Sequence, residues 1–205
     1  MTAPVRSALV AASGASGSVY TRRVLQLLLP RVECVHFAYS RHASEVMLYE
    51  LGFDLSRCKG DLTGLLGETY PNLRVHENAG MMAPFASGSG VCDVTLIVPC
   101  SMGMVGRIAH GISDDLVARA ADVALKERKR LILCPRETPF SAIHLRNMLT
   151  VTEAGAIVAP AMPNFYTRPA SVEDLVDTVA WRLLALAGMD LPPRLRWAQS
   201  GVDHE

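Results

Sequence analysis

The segment Ser13-Gly14-Ala15-Ser16-Gly17 sets two hydroxyls and two glycines directly ahead of an apolar-periodic stretch. Glycine lets a backbone turn tightly and come close to a ligand, and a helix beginning at once aims free N–H groups at an anion. The hydroxyls of Ser13 and Ser16 can add hydrogen bonds. The spacing is not G-x-G-x-x-G, so a dinucleotide is not favoured. A tight strand–helix turn holding no ligand would read the same way. The pattern returns in Pro99-Cys100-Ser101-Met102-Gly103-Met104: small polar residues, a glycine, then a helical stretch. Two such turns favour a planar cofactor that carries a phosphate. Met102 and Met104 suit the face of a flat ring, although core packing is the commoner use of methionine. Ser40, at the end of another apolar run, reads as a helix N-cap.

A second set of residues suits the handling of charge. Arg119 and Lys126 lie seven apart on one expected helix, so roughly on one face; a solvated basic stripe would look the same. Arg136-Glu137 follows an apolar run, with Pro139 close behind. A carboxylate beside an arginine there suits either a structural ion pair or proton transfer near a phosphate. His144 and Asn147 fall within the next helix, where a histidine more often caps or packs than reacts. Asn164-Phe165-Tyr166 follows the last apolar run, and Arg182 lies on the last helix. Arginine grips phosphate through a planar fork of donors.

The elements that must position these residues alternate between apolar runs and amphipathic stretches. Strands are expected at 7–12, 33–38, 73–76, 94–99, 131–134 and 157–159. Helices are expected at 19–29, 40–51, 102–110, 116–128, 141–154 and 171–187. Pro30 stops the first helix, and Ser171 with Asp174 forms a capping box for the last. The 52–72 stretch is the least periodic and is expected to be a connection with one short helix. The 77–90 stretch carries few charges and reads as an ordered functional loop. Continuously apolar strands alternating with helices argue for a parallel sheet covered on both faces, a three-layer αβα arrangement. Ligands in such sheets bind beyond the carboxyl ends of the strands, where the residues above cluster.

Composition narrows the function classes. The chain has 205 residues, half of them hydrophobic, enough for a single domain with a large core and too apolar for disorder. The last stretch, about 189–205, reads as a tail of that domain. Twenty basic residues balance twenty acidic ones, so no general charge draws the chain to nucleic acid or an anionic membrane. No apolar run reaches the roughly 18 residues of a membrane span, and the first residues do not form a signal peptide. Five cysteines, odd in number and without a C-x-x-C, argue against a disulfide framework or a zinc site. A reducing, cytoplasmic setting is expected.

Taken together, these motifs are specific. Gly14-Ala15-Ser16-Gly17, Ala86-Ser87-Gly88-Ser89, Pro99-Cys100-Ser101-Met102, the run from Arg119 to Arg128, and Arg136-Glu137-Thr138-Pro139-Phe140 through Asn147-Met148, followed by Phe165-Tyr166, resemble the UbiX family of flavin prenyltransferases. The resemblance spans almost the whole chain and is weakest over 52–72. It implies a flavodoxin-like Rossmann fold that binds FMN. It implies transfer of a dimethylallyl group from dimethylallyl phosphate to N5 of reduced FMN, with ring closure at C6 and no metal. The product would be prenylated FMN, made for a UbiD-type decarboxylase. It also implies a homododecamer with active sites at subunit contacts.

Carried over residue by residue, the resemblance places Gly14, Ala15 and Ser16 at the flavin or its phosphate. We expect that phosphate at the 14–17 turn. Ser40, Ser101, Met102, Gly103, Met104 and Arg119 would complete the FMN site. Lys126, Glu137, Tyr166 and Arg182 would surround the donor phosphate, with Ser16 beside them. Lys126 and Arg182 would neutralise the departing charge, Tyr166 would donate a hydrogen bond, and Glu137 would move protons. Trp197 would be an aromatic near the site.

One departure stands out. The family usually shows Asn-Asp before the Ala-Ser-Gly-Ser run, and here the aligned pair is Ala79-Gly80, with Asn78 one place earlier. An FMN- or prenylated-FMN-binding relative with lost or altered transferase activity is therefore the alternative. A flavin-dependent cysteine-type decarboxylase ranks last, because its Pro-x-Met-Asn-x-x-Met-Trp segment is missing.

Overall fold

The computed structural model describes residues 4–77, 81–190 and 192. Six strands, β1 (Ser7–Ala12), β2 (Cys34–Tyr39), β3 (Leu73–Glu77), β4 (Val94–Cys100), β5 (Arg130–Pro135) and β6 (Ile157–Val158), form one sheet. Their order is β3-β2-β1-β4-β5-β6 and every pairing is parallel. The apolar character of β1 and β4 follows from this: both are central and covered on both faces. The chain grows outward from β1 in one direction and from β4 in the other. The gap between them is the switch point where such sheets open a crevice.

Among the described residues seven helices cover the sheet: α1 (Ser18–Leu28), α2 (Arg41–Leu51), α3 (Thr63–Leu66), α4 (Met102–Ala109), α5 (Leu116–Lys126), α6 (Ala142–Glu153) and α7 (Val172–Leu186). Alternate residues of β1 feed two cores. Ala8, Val10 and Ala12 face α1, α3 and α7; Leu9 and Ala11 face α4, α5 and α6. The helix ends follow local chemistry. Ser40 caps α2 by accepting from Ala43 N, and Ser171 and Asp174 form the expected capping box on α7. The expected β2 shifts by one residue and gains Tyr39, whose hydroxyl donates to the Leu55 carbonyl at 3.2 Å.

The segment leading from β3 to β4 is ordered, as expected, over 81–90. It runs through two short 3-10 turns, Pro84–Ala86 and Gly88–Gly90. Phe85 is 2% exposed and sits in the α5-side core with Leu9, Ala11 and Ala38. Burying that ring contributes about 1.5–3 kcal/mol toward holding the segment down. Among the described residues no helix is long and apolar enough to cross a membrane.

Candidate active site

The crevice between β1 and β4 is built from the two glycine-bearing turns. Ser13, 2% exposed, joins them. Its N–H and hydroxyl both donate to the Pro99 carbonyl, at 3.1 and 3.2 Å, and its oxygen accepts from Ser101 N at 2.7 Å. Ser101 in turn caps α4, its hydroxyl accepting from Met104 N at 3.2 Å. The first-turn N–H groups of Met102 and Gly103 have no partner within the helix. A Cβ on Gly103 would meet nothing within 4 Å, so the backbone there is open to a ligand. Met102 and Met104 are buried, Met104 completely, and pack in the core between the sheet and α5.

Helix α2 passes over the first turn. A Cβ on Gly14 would lie 2.5 Å from the His42 Cβ, so only glycine fits beneath the helix. Gly17 adopts φ +120, a conformation L side chains rarely adopt. The same helix brings Glu50 to the start of α1. Its carboxylate accepts from Gly17 N at 3.1 Å and from Ser18 N at 2.7 Å. Partial burial pushes this carboxyl up, but hydrogen bonds from Ser16, Ser18 and Gly17 outweigh it and hold it below the ordinary carboxylate range. The N–H groups we expected to hold the flavin phosphate at the 14–17 turn are therefore engaged by an internal anion. Sequence reasoning missed Glu50, because nothing local to it shows that α2 ends at the α1 N-terminus.

The other side of the crevice comes from the residues after β5. Arg136 Nε donates to the Ser16 carbonyl at 3.0 Å, and its N–H donates to the Cys100 carbonyl at 3.3 Å. This ties the β5 exit to both turns. Glu137 follows and is exposed; one of its oxygens accepts from Thr138 N at 3.0 Å. Below it the thiols are inert: burial pushes Cys100 well above its ordinary range and Cys134 up to about 12. A separate cavity of about 490 Å³ lies on another face of α2, lined in part by Glu45, Asp54 and Glu77. Its acidic wall does not suit a phosphate.

The remaining expected residues stand on other elements. Lys126 ends α5 at the opposite edge of the sheet, where Lys129 pairs with Asp93 at 3.4 Å and Asp93 accepts from Arg6 N and Ser7 N. From there the six residues of β5 rise about 20 Å before Arg136 and Glu137. Arg182 lies on α7, in the layer on the other face of the sheet from α5. Tyr166 belongs to the segment that meets α7 through Asn164 N and Thr178 Oγ1 at 3.2 Å, one turn from Arg182. Within one chain, then, the helices that carry Lys126 and Arg182 pack on opposite faces of the sheet. Arg119 also has a local task. Its Nε donates to the Ala86 carbonyl and its Nη1 to Asp122, both at 3.0 Å.

Two secondary candidates resolve as structural. His144 completes a capping box with Ser141, and the Asn147 amide packs 3.2 Å from where a Gly106 Cβ would lie, between α6 and α4. The Ala79-Gly80 departure, Asn78 and Trp197 lie outside the described residues.

Comparison with known proteins bears on this geometry. A family model described as Flavoprotein matches residues 2–184. A flavin prenyltransferase UbiX of Pseudomonas aeruginosa is 43% identical over 203 residues, 97% of each chain. The chain belongs to the UbiX family. A solved structure of AnUbiX (PadA1) in complex with FMN and dimethylallyl pyrophosphate is 42% identical, with a TM-score of 0.81 over 91% of this chain and 94% of that one. A dodecameric FMN-dependent UbiX-like decarboxylase from Escherichia coli O157:H7 is 36% identical, with a TM-score of 0.82 over 93% and 98%. The UbiX family accounts for the flavodoxin-like Rossmann fold. FMN is the cofactor, and the β1–β4 crevice offers it two glycine-bearing turns, an open Gly103 backbone and first-turn N–H groups that no helix carbonyl engages.

Proposed function

We propose that this protein transfers a dimethylallyl group from a dimethylallyl phosphate ester to FMN, at a site completed by neighbouring copies of the chain. The observation that carries the reading is the crevice itself: Ser13, Ser16 and Ser101 on interlocked turns, with Glu137 at its rim through the Arg136–Ser16 tie. Ser40, Ser101, Met102, Gly103 and Met104 belong to the turns and caps that would hold the cofactor, with Gly14 and Ala15 shaping the first turn beside them. Reduced FMN, when bound, supplies the electron-rich N5 and C6 that accept the dimethylallyl group.

The chain's own residues handle charge and protons. Glu137 stands exposed at the rim, with capacity to exchange a proton with the departing phosphate or the acceptor. The Ser16 hydroxyl, which donates toward Glu50, is placed to turn to a phosphate oxygen. Lys126 and Arg119 from one neighbouring copy, and Tyr166 with Arg182 from another, would supply the cations and the hydroxyl that receive the leaving group. Their placement on opposite faces of one chain favours this sharing over a site within a single chain.

The same reading makes the protein a homododecamer. Leu145 and Leu149, one turn apart on α6, are 55% and 58% exposed, an apolar face suited to a second copy. The product, prenylated FMN, would pass to a UbiD-type decarboxylase in the cytoplasm, a setting that suits five unpaired cysteines. Anaerobic incubation with reduced FMN and dimethylallyl phosphate, followed by mass analysis of the released flavin, tests the reaction. A flavin heavier by one dimethylallyl unit is expected. FMN recovered unchanged from a protein that binds it tightly would replace the transferase reading with that of a flavin-binding relative.

A further inference from the structure

Gly88 is a glycine that its backbone does not require, since it does not adopt a left-handed φ. What requires it is a side-chain pair. A Cβ there would overlap the Glu127 carboxylate, coming within 2.9 Å of both Glu127 Cδ and Lys126 Nζ. Lys126 Nζ donates to Glu127 Oε1, so this ion pair rests directly against the bare Cα of Gly88. The seat is firm. Phe85 is buried beneath it, Arg119 holds the Ala86 carbonyl, and Gly90 packs against the Pro84 carbonyl where a Cβ would not fit.

We propose that Glu127 is a positioning residue for Lys126. It pins the ammonium to the Gly88 backbone, so the cation is offered to a neighbouring copy's donor phosphate at a fixed place. An unpinned lysine has a long flexible stem and loses more freedom on meeting a phosphate. The inference rests on the reading of Lys126 as a donor-phosphate contact, and it adds a residue that does not itself touch the donor. Glu127 also carries a negative charge near the phosphate's expected path, so the sign of its effect on donor affinity decides between pinning and repulsion.

The test is steady-state kinetics on the assembled enzyme, with reduced FMN saturating and dimethylallyl phosphate varied. Glu127→Gln removes the charge that pins the lysine. Gly88→Ala displaces only the far ends of two flexible side chains, so the fold survives, as a thermal melt and FMN binding would check. Each single variant should raise the donor KM about two- to fivefold with kcat and FMN affinity unchanged, the range set by exposed ion pairs. The double variant should match the singles, because both act on one contact. A donor KM that is unchanged or lowered in Glu127→Gln overturns the proposal, as do additive effects in the double variant. Lys126→Ala, run in parallel, separates the two levels: if it leaves the donor KM at the parent value, the reading of Lys126 itself fails.

Discussion

His36 on β2 and His76 on β3 face each other across the strand pair, with Nδ1 of one 2.8 Å from Nε2 of the other. The Phe85 ring closes over both, its centroid 5.3 and 5.0 Å from theirs. One proton between the two facing nitrogens satisfies the neutral pair. A further proton must enter a half-buried site beside a second imidazole and Arg74, so burial first, then His76 and Arg74, pull His36 down from 6.5 to about 4. Burial lowers His76 as well. A base whose folded pKa is depressed favours the unfolded chain when protonated. Its contribution is therefore complete above about pH 6.5 and is lost as pH falls toward about 4. That interval would correspond to about 3 kcal/mol in a sealed site; solvent access to half-buried rings reduces it to about 1–2 kcal/mol. Urea unfolding at about pH 7.5 and pH 5 would be compared for the parent and His36→Gln, which keeps a partner for His76 but cannot titrate. Acid-sensitive carboxylates such as Glu50 and Asp93 remain in both proteins and cancel in the difference. The parent should lose about 1–2 kcal/mol more than the variant on acidification. Equal losses would refute the assignment of this pair as an acid-sensitive clamp on the 81–90 segment.

Three further outcomes follow from the geometry. Glu137→Gln keeps the shape of the rim and removes its titrating group, so FMN binding should survive while single-turnover prenylation slows by about 10²–10⁴; a parent-like rate would remove Glu137 from proton transfer. Gly17→Ala adds a Cβ at φ +120 that would sit 2.9 Å from the Tyr20 ring, so denaturant unfolding should show a loss of more than about 1 kcal/mol and weakened FMN binding; a parent-like midpoint would contradict the strained-turn account. Leu145→Asp puts charge on the exposed α6 face and should shift native mass toward smaller species while the secondary structure persists; an unchanged mass would show that α6 faces solvent.

Much of the scaffold was legible because its signals are local. The 7–12 strand, the Ser40 cap and the Ser171–Asp174 capping box were read from adjacent residues, and the structure places them there. The turns at Ser13 and Ser101 were legible for the same reason: small residues between a strand and a helix leave few alternatives. What failed was relational. Glu50 lies 33 residues from Gly17, and only the path of α2 brings them together. The His36–His76 pair depends on a strand register, with Ala38 opposite His76, that separate strand predictions do not supply. The resemblance groups Lys126 with Arg182, and only the fold shows that α5 and α7, which carry them, pack on opposite faces of the sheet. Right-handed crossovers fix the faces of the earlier helices once the strand order is known; the return of α7 to the α1 side is a tertiary fact.

Subunit mixing separates a transfer site made from one copy's crevice and other copies' cations from a site held within one chain. Glu137→Gln, slowed in chemistry, and Lys126→Ala, weakened in donor binding and assayed at a donor concentration well below its KM, would be dissociated, mixed in equal amounts and reassembled. Prenylated flavin would then be measured by mass. A site shared between copies pairs an intact Glu137 with a neighbour's intact Lys126 at about a quarter of the sites in random assemblies, so activity should recover to about a quarter of the parent's. No recovery, with mixed assembly verified by native mass, would place both residues in the same chain's site and contradict the account.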